Sequence, residues 1–204
     1  MISFSCLFVS CDFIKQAYEE TFSEESQSSE LENKSIDIYS DFFETDQLEG
    51  NLLSDAVQLA QTQAKLENMF PGKTLKVYPP HIFFERDRIR LKLVNPSNES
   101  EVDWYIYKYK NAKWEKESPV KISAYDKENH KPVPINEMDL GIINKVYIQL
   151  LEKSKNIEGA KPITSVIFSF YRPEWEWTAS IVGSRADYDF TADRYGNEIS
   201  FEHK

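Results

Sequence analysis

Twice along this chain an amphipathic helical stretch precedes a run of short segments whose side chains alternate between apolar and polar. The first helical stretch covers residues 51–70, where Leu52, Leu53, Ala56, Val57, Leu59, Ala60, Ala64 and Leu66 recur at three- and four-residue steps until Pro71-Gly72 stops it. Strand signals follow. Ile89, Leu91 and Leu93 alternate with Arg88, Arg90 and Lys92, and Val102, Trp104 and Ile106 alternate with Asp103, Tyr105 and Tyr107. A further strand pair is expected around Trp114 and Ile122. The second helix is expected to start near Asn136, with Ile142, Ile143, Val146, Tyr147, Leu150 and Leu151 as its stripe. Strands return at Val166, Phe168 and Phe170, at Trp175 to Ile181, at Tyr188 to Ala192 and at Ile199 to Phe201.

The two runs keep a constant offset of 85 residues: Leu66-Glu67 falls on Leu151-Glu152, Ile82-Phe83 on Ile167-Phe168, and the turn at Asn111 on that at Gly196. The sequence therefore reads as α+β, with two helix-plus-antiparallel-sheet units, 51–125 and 126–204, related by duplication. Each unit lays one helix on one face of a sheet whose strands are half apolar.

Charge is distributed unevenly. Residues 12–50 hold twelve acids against two bases (Lys15 and Lys34), whereas the chain from Asn51 onward carries 22 of each sign. The acidic segment, rich in Ser and Glu, cannot bury enough apolar surface to offset its ordering entropy and reads as a disordered tether. No basic stripe is present to displace phosphate counterions, which argues against nucleic acid as a partner.

Both cysteines, Cys6 and Cys11, lie in the first eleven residues, so the body has no thiol for a disulfide or a metal. Residues 1–11 form an uncharged apolar segment ending in Val9-Ser10-Cys11. This resembles the end of a bacterial lipoprotein signal peptide, with Cys11 the lipid-bearing residue, although Phe8 replaces the usual leucine-like residue and a basic leader is missing. The expected location is the bacterial cell envelope, with membrane contact through the lipid anchor alone. A buried first strand over Ile2 to Val9 is the alternative.

The tandem arrangement of residues 51–204 resembles the helix-plus-antiparallel-sheet bodies of PepSY-like and β-lactamase-inhibitor-like envelope proteins. The likeness is one of topology and implies a non-catalytic binding or inhibitory role.

Chemistry is sparse. His81, His130 and His203 lack ligand spacing, six glycines leave little for a phosphate cradle, and none of the familiar catalytic motifs occurs. No metal, cofactor or catalytic residue is assigned. Glu174 and Glu176 could form an acid/base pair in a glycan or wall hydrolase, but they read better as the wet face of a strand bearing Trp175 and Trp177. The stronger candidate is a partner-binding surface. Tyr105, Tyr107 and Tyr109 occupy alternate positions opposite Trp104 and Ile106, and are expected to share an exposed face with Arg88 and Arg90. The expected partner is a protein or peptide of the envelope, with the chain as inhibitor or immunity protein. A structural envelope lipoprotein without a dedicated ligand is the alternative.

Overall fold

The computed structural model of the chain describes residues 50–170 and 174–204. The signal-like segment 1–11, its Cys11, and the acidic stretch up to residue 49 lie outside the described residues.

The first helical stretch is two elements. A 3-10 turn, Leu52–Ser54, precedes α1, Ala56–Glu67. Asp55 divides them: its backbone is non-helical (φ -88°, ψ 82°) and its carboxylate accepts the Gln58 N–H at 2.8 Å, which caps α1. Leu59, Thr62 and Leu66 face the core, while Val57 is exposed. Five strands follow: β1 (Lys76–Val77), β2 (His81–Glu85), β3 (Arg88–Asn95), β4 (Asn98–Lys108) and β5 (Lys113–Pro119). A short helix α2 (Ala124–Asn129) and the two-residue strand β6 (Val133–Pro134) come next, then α3 (Ile142–Ser154). Near the expected start of α3 lies only a 3-10 turn, Ile135–Glu137, because Met138 is extended and interrupts the helix. The stripe Ile143, Val146, Tyr147, Leu150 and Leu151 is buried as its spacing requires. Strands β7 (Ser165–Ser169), β8 (Glu176–Val182), β9 (Asp187–Asp193) and β10 (Glu198–His203) close the chain.

All ten strands among the described residues join one antiparallel sheet. Strands β5, β4 and β3 are neighbours in that order, and β1 and β2 share the other edge of β3. The break between β1 and β2 is Pro79-Pro80, joined by a cis peptide, where neither nitrogen can donate to a ladder. Beyond them, β6 borders β1 and β7 borders β2, and β8, β9 and β10 complete the sheet. Its long edges are β5 and β10, and the two-residue β6 ends the short branch beside β1. The order of one long helix and then four or five strands thus occurs twice, and the halves meet at the five-pair ladder His81↔Ser169 to Glu85↔Ser165. The offset read from the sequence recurs in the strand ends. Lys108 and Asp193 close β4 and β9, Lys113 and Glu198 open β5 and β10, each pair 85 residues apart. The halves share one sheet within a single compact unit, Glu49–Lys204.

Cross-strand rows define the two faces. The row Trp114–Tyr107–Ile89–Phe84–Val166 is buried throughout, none of its members being more than 6% exposed. It lies under α1, whose Thr62 carbonyl accepts from Trp114 Nε1 at 2.8 Å. The row Ile82–Phe168–Trp177–Ala192 continues the core, with Trp177 packed 4.6 Å from Phe168 and 5.1 Å from Phe84. Helix α3 seats on the β9–β10 turn. Gly196 (φ +72°) leaves it room, since a β-carbon there would lie 2.9 Å from Ile142 Cγ2. The strands therefore bury their apolar rows against helices on one side only, the economical solution for an antiparallel sheet.

Candidate binding face

The row one residue over, Glu115–Ile106–Arg90–Phe83–Ile167–Thr178–Thr191–Ser200, crosses eight strands on the face away from α1. Its aromatic centre is on the first half of the sheet. The Arg90 guanidinium stands 5.0 Å from the Trp104 ring centroid, Lys92 Nζ stands 5.2 Å from the same ring, and Phe83 approaches it at 6.3 Å. Two cations stacked on one indole are attracted by its ring quadrupole, and their stems cover part of its apolar surface. Phe83, Arg90, Lys92 and Trp104 are all half-buried. Around them the charges are paired: Arg88 with Glu85 and Asp87, Lys108 with Glu115.

One end of this face is roofed. Val120 and Ile122 pack on Tyr78, Val94 and Val102, and α2 follows, fixed by a capping box between Ser123 and Asp126. Burial pushes the Lys92 ammonium below its usual range, with Asp126 opposing the shift. Burial, followed by the charges of Lys92 and His130, does the same to His81. Cations here are crowded and partly desolvated, which makes a carboxylate or a further ring a favourable neighbour.

The expected tyrosine surface is corrected by this geometry. Tyr105 is 5% exposed and Tyr107 0%; both point into the core beneath α1. Tyr107 donates its hydroxyl proton to Gln58 Oε1 at 2.7 Å and Tyr109 donates to Asp55 Oδ2 at 3.0 Å, while Tyr105 packs edge-on to Phe70. Burial pushes the Tyr107 hydroxyl up to about 12. Arg88 and Arg90 do lie on the face away from α1, so the sheet separates them from the tyrosines they were expected to accompany. Trp104, expected inward, is their actual companion. Alternation divides β4 into two rows correctly but does not say which row is inside. A tyrosine hydroxyl favours the surface unless an acceptor is supplied, and here Gln58 of α1 and its cap Asp55 supply one each. Of the carboxylates considered for hydrolysis, Glu176 is half-buried in β8 and Glu174 is exposed.

One feature had no sequence signal. The β7–β8 ladder is registered over three pairs only, Ile167↔Thr178 to Ser169↔Glu176, although β8 runs on to Val182. Where the strands part there is a cavity of about 840 Å³, bordered by Arg86, Lys161, Ile163, Ile167, Ala179 and Phe190 among others.

No protein-family model matches the chain, and no curated protein matches it in sequence. Two solved structures resemble it. A candidate lipoprotein of Clostridium difficile 630 matches with a TM-score of 0.50 at 12% identity, over 76% of this chain and 100% of that one. A candidate periplasmic protein of Bacteroides eggerthii DSM 20697 matches at 9% identity with a TM-score of 0.23, over 70% of this chain and 86% of that one. At these identities the first likeness concerns the fold alone. Among the described residues, no helix is long and apolar enough to cross a membrane.

Proposed function

We propose that this chain is a lipid-anchored, non-catalytic protein of the bacterial envelope whose sheet face away from α1 and α3 binds a protein or peptide, as an inhibitor or immunity protein would. The observation that carries the reading is the cluster of Arg90, Lys92, Trp104 and Phe83 at the centre of a face that α1 and α3 leave bare. Arginine and tryptophan are the residues most often found to dominate binding energy, and here they are already ordered against one another, so little entropy is lost on docking. The tandem topology resembles PepSY-like and β-lactamase-inhibitor-like bodies, and a candidate lipoprotein shares the fold. Both fit an anchored binder, as does the run Val9-Ser10-Cys11.

The reading is tested by chemical crosslinking of the full chain in its native envelope, beside mass spectrometry of its N-terminus. Lipid on Cys11 and a stoichiometric crosslinked partner, lost in Trp104→Ala and Arg90→Ala variants that still fold, are expected. An unmodified Cys11 on an intact N-terminus would remove the anchor. A partner captured equally by both variants would move the interface elsewhere.

A further inference from the structure

The rim of the proposed binding face is electrically balanced and its centre is not. Arg88 is held by Glu85 and Asp87, and Lys108 by Glu115. Arg90 and Lys92, further along β3 toward the α2 roof, make no ion pair among the described residues. Asp126 of α2 acts on Lys92 from the roof, but its carboxylate is already engaged: the Ser123 hydroxyl donates to it at 2.7 Å, the Ser123 N–H at 3.3 Å, and His130 Nδ1 lies at 3.6 Å. Both open cations stand over one indole, 5.0 and 5.2 Å from the Trp104 centroid, so a single bound segment meets them together. Phe83 lies 6.3 Å from the same ring, and all four residues are half-buried, each keeping part of its surface open. Charges that are already partly desolvated are screened less than fully exposed ones, so an ion pair formed here outweighs an ordinary surface pair.

We infer that the segment bound by this face is acidic, with carboxylates at alternate positions that pair with Arg90 and Lys92. The inference rests on the binding role proposed for the face and names the chemistry of its partner. Arg90 and Lys92 point the same way from β3, about 7 Å apart along the strand, and an extended segment repeats its own side chains at that interval. One carboxylate accepts from the Arg90 guanidinium in fork geometry, and the next meets Lys92 as a point charge. An apolar ring on the same side of the segment has Trp104 and Phe83 to pack against. A protein segment fits these observations better than an anionic lipid surface. The chain from Asn51 onward carries 22 charges of each sign, so a broad negative sheet gains little from it, whereas a narrow segment meets the two open cations alone.

Nuclear magnetic resonance titration of the labelled full chain, followed through the Trp104 indole N–H, tests the assignment. Two end-blocked peptides are compared, Phe-Ser-Glu-Ser-Glu and its neutral counterpart Phe-Ser-Gln-Ser-Gln. The acidic peptide should bind about tenfold more tightly, and the difference should shrink as salt is raised from about 0.05 to 0.5 M. Arg90→Gln and Lys92→Gln should each cut the difference by about threefold, an exposed-pair loss, while leaving the neutral peptide unaffected. Lys92→Gln and the salt series decide the matter if Arg90→Gln does not fold. Equal binding of the two peptides would overturn the inference while leaving the face a binding surface. Binding of neither would overturn it as well, and the binding role would then stand or fall on the crosslinked partner. Phosphatidylglycerol vesicles that shift the Trp104 signal through Arg90 and Lys92, where the acidic peptide does not, would assign the cluster to a lipid surface and overturn it too.

Discussion

Replacing Tyr107 by Ala should be among the most damaging single changes in the body, and Trp104→Ala among the mild ones, although the two residues are three apart on the same strand. Tyr107 is 0% exposed, lies 5.4 Å from the Trp114 ring, and carries Lys65 Nζ 5.8 Å above its own ring. Emptying such a site removes a large aromatic volume that neighbours fixed by the sheet cannot fill, which costs about 3–5 kcal/mol. Gln58, released from its hydrogen bond, is half-exposed and regains water, so no further penalty is added. Trp104 is half-buried, and its loss forfeits two cation–ring contacts and part of its burial, about 1–2 kcal/mol in all. Against a total of about 5–15 kcal/mol for a folded domain, the first change threatens the fold and the second does not. Tyr107→Phe isolates the hydroxyl and should cost about 1 kcal/mol. Urea unfolding followed by circular dichroism measures all three. If Tyr107→Ala loses no more stability than Trp104→Ala, the assignment of faces in β4 is wrong.

The same hydroxyl predicts alkaline behaviour. Its folded-state pKa of about 12 stands above the usual 10, so its stabilisation is complete below pH 10 and is lost as pH rises from 10 to 12. Two units correspond to about 2–3 kcal/mol, so the urea midpoint of the wild type should fall more steeply with pH over that window than that of Tyr107→Phe, and parallel curves would refute the placement. On β4 the Asp103 side chain is only 7% exposed and is held by Lys116 at 2.7 Å. Lys116→Met should therefore cost about 1–3 kcal/mol by leaving a desolvated carboxylate without its ion pair, and adding Asp103→Asn should recover most of it; equal losses in the single and double variants would show that the pair is not coupled.

Much of the architecture could be read from spacing. The stripe of α3 and the alternation of β3 and β8 reflect periodicities that a packed helix or a half-buried strand imposes on its own residues. Choosing the inner row of β4 was beyond that reading, because both rows carry aromatic residues. The choice is made by α1: Gln58 and Asp55 receive tyrosine hydroxyls there, while Arg90 and Lys92 shield Trp104 on the other side. Ile122, expected near a strand, lies in none for a related reason. It is apolar because it roofs Tyr78, Val94 and Val102, not because it pairs. The capping box of α2 is written in Ser123-Ala-Tyr-Asp126, within a stretch too short and polar to show a helical period. Arg86, at the border of the cavity between β7 and β8, had no signal, since a basic residue between Glu85 and Asp87 reads as an ordinary solvated turn.

The two ends of the sheet bear on how this body meets other chains. An open edge strand offers its free N–H and C=O groups to any extended segment nearby, including the same strand of another copy. Here β5 exposes Lys113, Lys116 and Glu117 and ends at Pro119, which has no N–H to give. At the opposite end, β10 is six residues long, exposes Glu198 and Glu202, and is broken in register between Glu198 and Ser200. A second copy laid along β10 would bring Glu198 and Glu202 against one another and meet an irregular ladder, and one laid along β5 would have to desolvate its charged side chains and would find no donor at Pro119. The sheet therefore resists growing edge to edge into a fibre, and what it leaves open to its surroundings is the side chains of its face and not the backbone of its rim.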